Sequence, residues 1–406
     1  MDQPARLQDR LYHDWLLPDE ARETRAGIRR FVDDEVMPVA GELNTAVESP
    51  DAFPHALFRR MADTGIFAIA FTSEHGGRGL SYPLSSATVV MEELAYASDG
   101  LATIYDDHCL LPGIALLHGS QETRRRYLSR LIDGSAIACM GITEPQTGSD
   151  LRPETIATRA ETHGDYFTVN GHKRFITNAP VGDFMTTLCV LDGALAMMVV
   201  DLHAEGVTVG PVDLKTGNRV QLTADVRLHD VRVPRENLLG GPGDGLRIAL
   251  AALTWGRIAV GVSGVAMAQA ALDECVYFMQ RREMYCSKLS DLQYWQFRLA
   301  ERATQIAMAR DLCYKAALRY DQGSRTPEPE MAMAKYYGTQ VAGDMARDAV
   351  QVFGGIGFIT RLGADGSTCR VEQIFRDCKV AEIYEGANEI QKRVIARLAF
   401  GRDHVH

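Results

Sequence analysis

Three polar features of the sequence have residue types that can do chemistry. The stretch 140–150 (MGITEPQTGSD) offers backbone N–H groups beside hydroxyl side chains. Such a loop can hold a pyrophosphate or the edge of a flavin ring, although a polar turn has a similar composition. Arg257 is a lone cation in an apolar run and needs a partner when buried. Glu385 precedes an amphipathic segment, where a carboxylate either favours the positive end of a helix or, in a water-poor pocket, acts as a base.

Two glycine clusters superficially resemble phosphate-binding loops. They are 240–245 (GGPGDG) and 354–357 (GGIG). Neither lies in a strand–helix–strand unit with an acidic residue about 20 positions further on. We therefore predict no dinucleotide-binding domain of the doubly wound type.

The hydrophobic periodicity changes twice along the chain. Apolar residues recur at helical spacing from about residue 18 to 130, and again over 248–279, 292–319, 332–353 and 390–400. Between about 138 and 234 short β-rich runs replace this pattern, and Asn170-Gly171 between two of them predicts a tight hairpin turn. The predicted order is helices, a small sheet, then helices.

Composition excludes several classes of protein. The 406 residues carry 43 basic and 53 acidic side chains, a net charge of −10, unlike the basic footprint of nucleic-acid or membrane-surface binders. The charged N-terminal stretch lacks the apolar run of a signal peptide, and Arg257 interrupts the most apolar segment, 248–272, so no membrane span is predicted. The eight cysteines form no pair with metal-site spacing, which predicts reduced, buried thiols, a cytoplasmic protein and no metal.

Five segments, in order along the chain, resemble motifs of the acyl-CoA dehydrogenases. The resemblance covers about residues 17–400, and five motifs over a matching layout are far more specific than any one. The segments are TEPQTGSD (143–150) for TEPxxGSD, GHKRFITN (171–178) for GxKxWITN, a helix REMYCSKLSDLQ (282–293) for RxxFGxPLxxFQ, QVFGGIGF (351–358) for QxxGGxGY, and RDCKVAEIYEGANEIQ (376–391) for RDxxxxxIYEGTxxIQ.

This resemblance implies an α+β fold and a bound flavin. The implied domains are an N-terminal helical domain (1–137), a middle β-sheet or barrel domain (138–240) and a C-terminal four-helix-bundle domain (241–406). FAD would be held non-covalently in a homotetramer assembled as a dimer of dimers. The residues implied on the flavin of their own subunit are Met140, Ile142, Thr143, Ser149, Phe175 and Thr177, with Ala387 and Glu389 also in the cofactor-binding set, and those implied on the FAD of a neighbouring subunit are Arg282, Tyr285, Gln293, Gln351, Gly354 and Gly355.

Several of these positions depart from the commoner family pattern. Phe175 replaces a tryptophan, and Tyr285 and Cys286 replace Phe-Gly. An aromatic face remains at 175 and 285, so we expect flavin binding to survive. Ala387 replaces a threonine and Glu389 stands where many members have glutamine, which changes the expected hydrogen bonds to the cofactor.

The resemblance also assigns the catalytic base. In the family a glutamate matching Glu385 takes the α-proton of the thioester while the β-hydrogen leaves as hydride to the flavin. Some long-chain and branched-chain members carry the base just before the arginine that matches Arg257. That residue is Gly256 here, which favours Glu385. The implied substrate-binding residues are Ser149, Arg257, Tyr384, Gly386, Thr103 and Asp106.

The acyl pocket is expected along the segment 100–112, which matches the family's pocket-lining helix. Thr103 and Asp106 would face the acyl chain. Because successive helix residues point about 100° apart, Asp106 and Asp107 are not expected to face the cavity together. Alternatively, both pair with the arginines at 124–126. A buried Asp106 would favour a cyclic, aromatic or hydroxylated acyl group over a straight alkyl chain.

The function implied is FAD-dependent α,β-dehydrogenation of an acyl-CoA to 2-enoyl-CoA, with electrons passed to an electron-transfer flavoprotein. Two alternatives remain: an acyl-CoA oxidase or another flavin enzyme on the same fold, and a catalytically silent helical interaction protein. The implied partners are the acyl-CoA substrate, the flavoprotein and further copies of the chain.

Overall fold

The N-terminal part of the protein is helical. The computed structural model describes residues 4–324 and 328–405. Its first α-helices are α1 (Gln8–Leu11), α2 (Asp19–Phe31), α3 (Ala40–Leu43), α4 (His55–Asp63), α5 (Pro83–Ala97), α6 (Asp99–Tyr105), α7 (Leu111–Leu116), α8 (Gln121–Thr123) and α9 (Ser129–Ile132). Three π-helical segments continue α2, α6 and α8: Val32–Val36, Asp106–Leu110 and Arg124–Leu128.

An eight-stranded sheet follows. Its strands are β1 (Ala138–Gly141), β2 (Arg159–His163), β3 (Tyr166–Thr177), β4 (Phe184–Leu191), β5 (Ala194–Asp201), β6 (Val207–Val209), β7 (Thr223–Pro234) and β8 (Leu238–Leu239). The order is β6-β7-β3-β2-β4-β5-β8, with β1 added parallel to β4. Every residue of β1 and β4 is buried, which places the start of the loop after β1 at the centre of the molecule.

The C-terminal part is a helical bundle. Its helices are α10 (Gly245–Met279), α11 (Gln293–Asp321), α12 (Glu328–Phe353), α13 (Arg370–Ala381) and α14 (Asn388–Phe400), and a short hairpin, β9 (Glu283–Met284) and β10 (Ser287–Lys288), joins α10 to α11. Glycines let α10 and α12 cross closely, since a Cβ at Gly264 would lie only 2.6 Å from the carbonyl oxygen of Gly338. The predicted order of helices, sheet and helices is confirmed.

Helix α10 is long and apolar enough to span a membrane. However, 72% of its most apolar window is buried inside the molecule. It packs against α5, α11, α12 and α13, and burial of this kind is typical of the core helix of a globular protein. The helix therefore serves as the central support of the bundle.

The hairpin predicted at Asn170-Gly171 is wrong. These residues lie inside the single strand β3, at a shift in its register with β7. The side chain of Asn170 exchanges hydrogen bonds with Asp230, and a Cβ at Gly171 would overlap Thr158. Glycine at 171 therefore allows Thr158 to pack closely against β3. The tight turn of the sheet is instead Asp192-Gly193, between β4 and β5, with positive φ at both residues.

The helix predicted over 282–293 is also wrong. Tyr285 and Cys286 form the two-residue turn of the β9–β10 hairpin, with φ of 48° and 65°. A tight turn with two positive φ values matches the twist of paired strands. The segment therefore forms a hairpin instead of a helix. Tyr285 is 93% exposed at its tip.

The cysteine prediction holds for most of the thiols. All eight cysteines are free, and six are buried; Cys286 is exposed and Cys369 is half-buried.

Candidate active site

Three carboxyl groups form the centre of the candidate site. Asp106 and Asp107 begin the π-helical segment after α6, and Glu385 lies in the connection between α13 and α14. Carboxylate oxygens of all three residues lie within 4.8 Å of one another. Asp106 is 1% exposed and Asp107 is 8% exposed.

The expectation that Asp106 and Asp107 would not face the cavity together is wrong. In the π-helix each backbone hydrogen bond spans five residues instead of four, so successive side chains diverge by less than in an α-helix. Both carboxyls therefore reach Glu385. The alternative pairing with arginines is also wrong, since Arg124 donates to two backbone carbonyl groups and Arg125 pairs with Glu122.

Glu385 is held in an unusual backbone conformation. Its φ of 52° is rare for a residue with a side chain, and such strain is often found at functional sites. The amide of Gln391 fixes the next residue by donating to the carbonyl oxygen of Gly386 at 2.9 Å. A Cβ at Gly256 would overlap the Glu385 carboxylate, so the glycine on α10 provides the space in which this carboxylate lies.

Burial and like charges govern the electrostatics of the cluster. Burial raises the pKa of Glu385, while Asp106, Lys335 and Arg257 act in the opposite direction. Burial, and then the charge of Glu385, raise the pKa of Asp106 and of Asp107 well above the ordinary value. Burial and the charge of Glu385 thus disfavour ionisation of the two aspartates, whereas Lys335 and Arg257 favour the ionised form of Glu385.

Lys335 is a functional candidate that sequence reasoning missed. It lies on α12 with its side chain fully buried and donates to the Asn388 side chain at 3.1 Å. Burial lowers the pKa of its ammonium group to about 8, against the opposing effect of Glu385. The only sequence signal is a lysine in the apolar run 331–337 (MAMAKYY), which is a pattern also found in helices whose lysines reach solvent.

Thr103 and Tyr384 border the carboxyl cluster. Their hydroxyl oxygens are 3.5 Å apart, and Thr103 also donates to the carbonyl oxygen of Asp99 at 3.0 Å. Asp99 is buried, and burial raises its pKa to about 6. The structure therefore places the predicted substrate residues Thr103, Asp106, Tyr384 and Gly386 around Glu385, with Arg257 near its carboxylate.

The residues expected on the flavin lie on the sheet side of this cluster. Met140 is buried in β1. Thr177, at the end of β3, forms a hydrogen bond with Asp107, which partly opposes the rise that burial and Glu385 cause in the pKa of Asp107. Phe175 has φ of 61° and is 59% exposed. Of the other predicted members, Ile142, Thr143 and Ala387 are half-buried, and Ser149 and Glu389 are exposed.

A buried ion pair supports the loop after β1. Lys173 on β3 donates to Glu144 at 2.7 Å and to the carbonyl oxygen of Ile142 at 3.2 Å. Glu144 also accepts from the backbone N–H groups of Ala157 and Thr158 and from the Thr158 hydroxyl. The pair ties both ends of the polar loop to the sheet.

His108 connects the carboxyl cluster to β1. It is buried between the rings of Phe58 and Phe67, its Nε2 donates to the carbonyl oxygen of Leu131, and its Nδ1 accepts from the Ala138 N–H. This assignment of donor and acceptor is that of a neutral imidazole. Burial lowers its pKa to about 3.

Acid should therefore destabilise the protein through His108. The depressed pKa means that its contribution is fully present above the unfolded-state pKa near 6.5 and is lost as the pH falls towards about 3. Between pH 7 and 4.5 the wild type should lose roughly 2–3 kcal/mol more stability than His108→Gln, which cannot titrate. Urea midpoints at both pH values measure this. His229→Gln, at an exposed site, should follow the wild type, and equal acid losses in all three proteins would contradict the assignment.

A second group of predicted residues lies on the surface of the bundle. The stacked rings of Phe278 and Phe353, 4.2 Å apart, bring the end of α10 next to the end of α12. The predicted residues in or after the last turns of these two helices are all exposed: Arg282, Tyr285, Gln293, Gln351, Gly354 and Gly355. These side chains are therefore on the surface of the chain, whereas Asp106 and Asp107 of the carboxyl cluster are buried.

The donor set fits an FAD molecule. Phe175 has an exposed aromatic ring near the loop after β1. This loop lies next to α14, because Arg393 on that helix, after the larger effect of Arg152, lowers the pKa of Asp150 in the loop. Flat apolar rings suit an isoalloxazine, and hydroxyls with backbone N–H groups suit a pyrophosphate.

Comparison with known proteins identifies the family. The chain matches the acyl-CoA dehydrogenase N-terminal domain over residues 18–135, the middle domain over 139–231 and the C-terminal domain over 243–400. It is 34% identical over 375 residues to a 3-(aryl)acrylate reductase of Clostridium sporogenes, covering 91% of this chain and 95% of that protein.

Two further relatives agree with this assignment. The "Caffeyl-CoA reductase-Etf complex subunit CarC" of Acetobacterium woodii is 34% identical over 362 residues, which is 87% of this chain and 92% of that protein. The structure of butyryl-CoA dehydrogenase from Megasphaera elsdenii superposes with a TM-score of 0.87 at 28% identity, covering 94% of this chain and 98% of that one. The three domains, the fold and these relatives show that the chain belongs to the acyl-CoA dehydrogenase family and is an FAD-dependent oxidoreductase of acyl-CoA thioesters.

Proposed function

We propose that Glu385 is the base that removes the α-proton when this enzyme converts an acyl-CoA to a 2-enoyl-CoA. The observation that carries this assignment is the Glu385 carboxylate, whose two oxygens are buried next to the carboxyl groups of Asp106 and Asp107. A desolvated carboxylate is a stronger base, and Lys335 and Arg257 keep its ionised form accessible. FAD, when bound, supplies the acceptor for the β-hydrogen.

Bleaching of the flavin by acyl-CoA tests the proposed reaction. Purified enzyme should be yellow, and a panel of acyl-CoA thioesters with an artificial electron acceptor should reveal which acyl groups bleach its visible absorption. The expected product is the 2-enoyl-CoA. A colourless protein that takes up no FAD, or a flavin that no thioester reduces, would contradict the proposal.

The electron acceptor is expected to be an electron-transfer flavoprotein. The support is the name of the relative from Acetobacterium woodii, which places that subunit in an Etf complex. Rapid reoxidation of the reduced enzyme by oxygen, with release of hydrogen peroxide, would instead favour an oxidase.

The active enzyme is expected to be a homotetramer, built as a dimer of dimers. The exposed residues near the ends of α10 and α12, among them Arg282, are expected to contact the FAD of a neighbouring subunit. We expect Arg282→Ala to weaken both FAD retention and assembly, because an arginine fork binds two phosphate oxygens at once. Gel filtration and the ratio of flavin to protein absorbance measure both effects. Arg247→Ala, which removes another exposed arginine, is the control. Full FAD content and an unchanged elution volume in Arg282→Ala would exclude this contact.

The domain boundaries and the cellular location of the protein are also proposed. We assign the domain boundaries to the connections between Ile132 and Ala138 and between Leu239 and Gly245, where helices give way to strands and strands to helices. A cytoplasmic location is proposed from the free cysteines, because disulfides are rare in that compartment.

A further inference from the structure

The connection between α13 and α14 is a short loop with Glu385 at its midpoint. It covers residues 382–387, and the backbone N–H of Asn388, the first residue of α14, donates to the carbonyl oxygen of Glu382 at 3.0 Å. Glu385 is three residues from each end of this hydrogen bond. The positive φ values of Glu385 and Gly386 turn the chain back at this point. The position of Asn388 therefore helps to set the position of the Glu385 backbone.

The side chain of Asn388 is fixed to α12. Its Oδ1 accepts from the ammonium group of Lys335 at 3.1 Å, and its Nδ2 donates to the hydroxyl of Thr339 at 3.0 Å. The Thr339 hydroxyl in turn donates to the carbonyl oxygen of Lys335 at 2.9 Å. All three residues are buried, so the loss of one partner would leave buried polar groups unpaired. Lys335 thus holds the start of α14, and with it the loop 382–387, against α12.

The ammonium group of Lys335 is buried without a salt bridge of its own. Among the side chains that the structure describes, no carboxylate lies within 4.0 Å of its Nζ, although a fully buried lysine is normally paired with an acid. The acids that act on it through space are Glu385 first, then Glu382 and Glu389. Glu382 pairs with Lys379, and Glu389 is exposed. The buried charge therefore acts mainly on Glu385.

Four charged groups act on Glu385 from three neighbouring elements. Asp106 and Asp107 follow α6, Arg257 lies on α10 and Lys335 lies on α12. Burial raises the pKa of Glu385, and hydrogen bonding with Asp106 and then the charges of Lys335 and Arg257 act against this rise. Burial lowers the pKa of Lys335 to about 8, so its ammonium form predominates at neutral pH. Loss of the charge at Lys335 should therefore make Glu385 harder to ionise.

We propose that Lys335 is a positioning residue for the base: its ammonium group holds Asn388, and thereby the loop with Glu385, and its buried positive charge favours the carboxylate form that accepts the α-proton. This inference rests on the proposed role of Glu385 and adds to it a residue outside the five sequence motifs. The hydrogen bond sets where the carboxylate lies, and the charge sets the pH range in which it is a base. Substitutions on α12 and α14 can remove one effect at a time.

The pH dependence of flavin bleaching tests the charge. The probe is the acyl-CoA of the panel that bleaches wild-type enzyme fastest, at saturating concentration. The rate should fall in acid as Glu385 takes a proton, and the residual rate of Glu385→Gln should show no such fall. We expect Lys335→Met to raise the half-maximal pH by about one unit, because removing a nearby cation raises the pKa of a carboxyl group. Below that pH the variant should be about 10-fold slower than the wild type, since one pH unit is a tenfold change in the ionised fraction.

Two further variants separate the hydrogen bond from the charge. Lys335→Gln still offers an N–H donor to Asn388 but has no charge, so it should show the same shift with a smaller loss of rate above the half-maximal pH. Asn388→Ala keeps the charge, so its half-maximal pH should be that of the wild type. Its rate should be about 10-fold lower throughout, because small displacements of a catalytic group are costly. Lys379→Met removes an exposed lysine that pairs with Glu382, and this control should follow the wild type.

The outcomes that would contradict the proposal are distinct. An unchanged half-maximal pH in both Lys335 variants, the same shift in Lys379→Met, or a wild-type rate in Asn388→Ala would each overturn it. If Lys335→Met does not fold or bind FAD, Lys335→Gln and Asn388→Ala still decide. Wild-type bleaching without any shift in the Lys335 variants would contradict this inference alone, whereas no bleaching by any thioester would contradict the role of Glu385.

Discussion

Replacing Glu385 by glutamine should leave a yellow protein that acyl-CoA can hardly reduce. The amide has nearly the shape of the carboxylate but cannot take the α-proton, and the loss of a positioned base costs about 10²–10⁴-fold. We expect at least about 10³-fold slower flavin reduction in stopped-flow bleaching. FAD content should be unchanged.

A matched substitution controls for the effect of an amide in this connection. Glu382 is three residues earlier and pairs with Lys379 on the surface. Glu382→Gln should bleach at close to the wild-type rate. If Glu385→Gln loses less than tenfold, another group takes the proton, and Asp107 would be the first candidate because its carboxyl lies in the same cluster.

Lys173→Met should destabilise the protein by about 3–5 kcal/mol, the usual cost of removing one partner of a buried ion pair. Lys173 is fully buried, and burial raises the pKa of Glu144, an effect that Lys173 and the hydrogen bonds outweigh. Without Lys173 the Glu144 carboxylate would lose its counter-ion. Because the pair supports the loop after β1, FAD occupancy should fall as well. Urea unfolding of the FAD-free protein and the flavin content of the purified enzyme measure the two effects.

The double variant Lys173→Met/Glu144→Gln separates charge from packing. It leaves no unpaired charge, so it should recover part of the stability lost in Lys173→Met, as expected for two residues in direct contact. Lys288→Met, which removes an exposed lysine, should have little effect. A loss below about 1 kcal/mol in Lys173→Met would show that the pair contributes little.

Sequence patterns were most reliable where one long signal dominates. The helices α10, α11, α12 and α14 match the predicted periodic segments, because a buried helix repeats its apolar face over many turns. The errors at 170–171 and at 282–293 have a common origin, which is that the turn preference of a residue pair did not match the structure it forms. Asn-Gly at 170–171 favours a turn but serves a close contact with Thr158, whereas Tyr285-Cys286 lacks the usual turn residues and forms one.

The family, the flavin and the candidate base could be predicted from the sequence, since the five motifs and Glu385 are readable in linear order. The acids that lie next to that base could be identified only in the folded chain. A regular α-helix would separate Asp106 from Asp107, but a π-helix turns both towards Glu385. The space that Gly256 leaves for the Glu385 carboxylate and the position of Lys335, which reaches the site from α12, are likewise visible only in the folded chain. Hydrophobic periodicity reports burial along one element, whereas side chains from α6, α10, α12 and the 381–388 connection converge only when those elements pack.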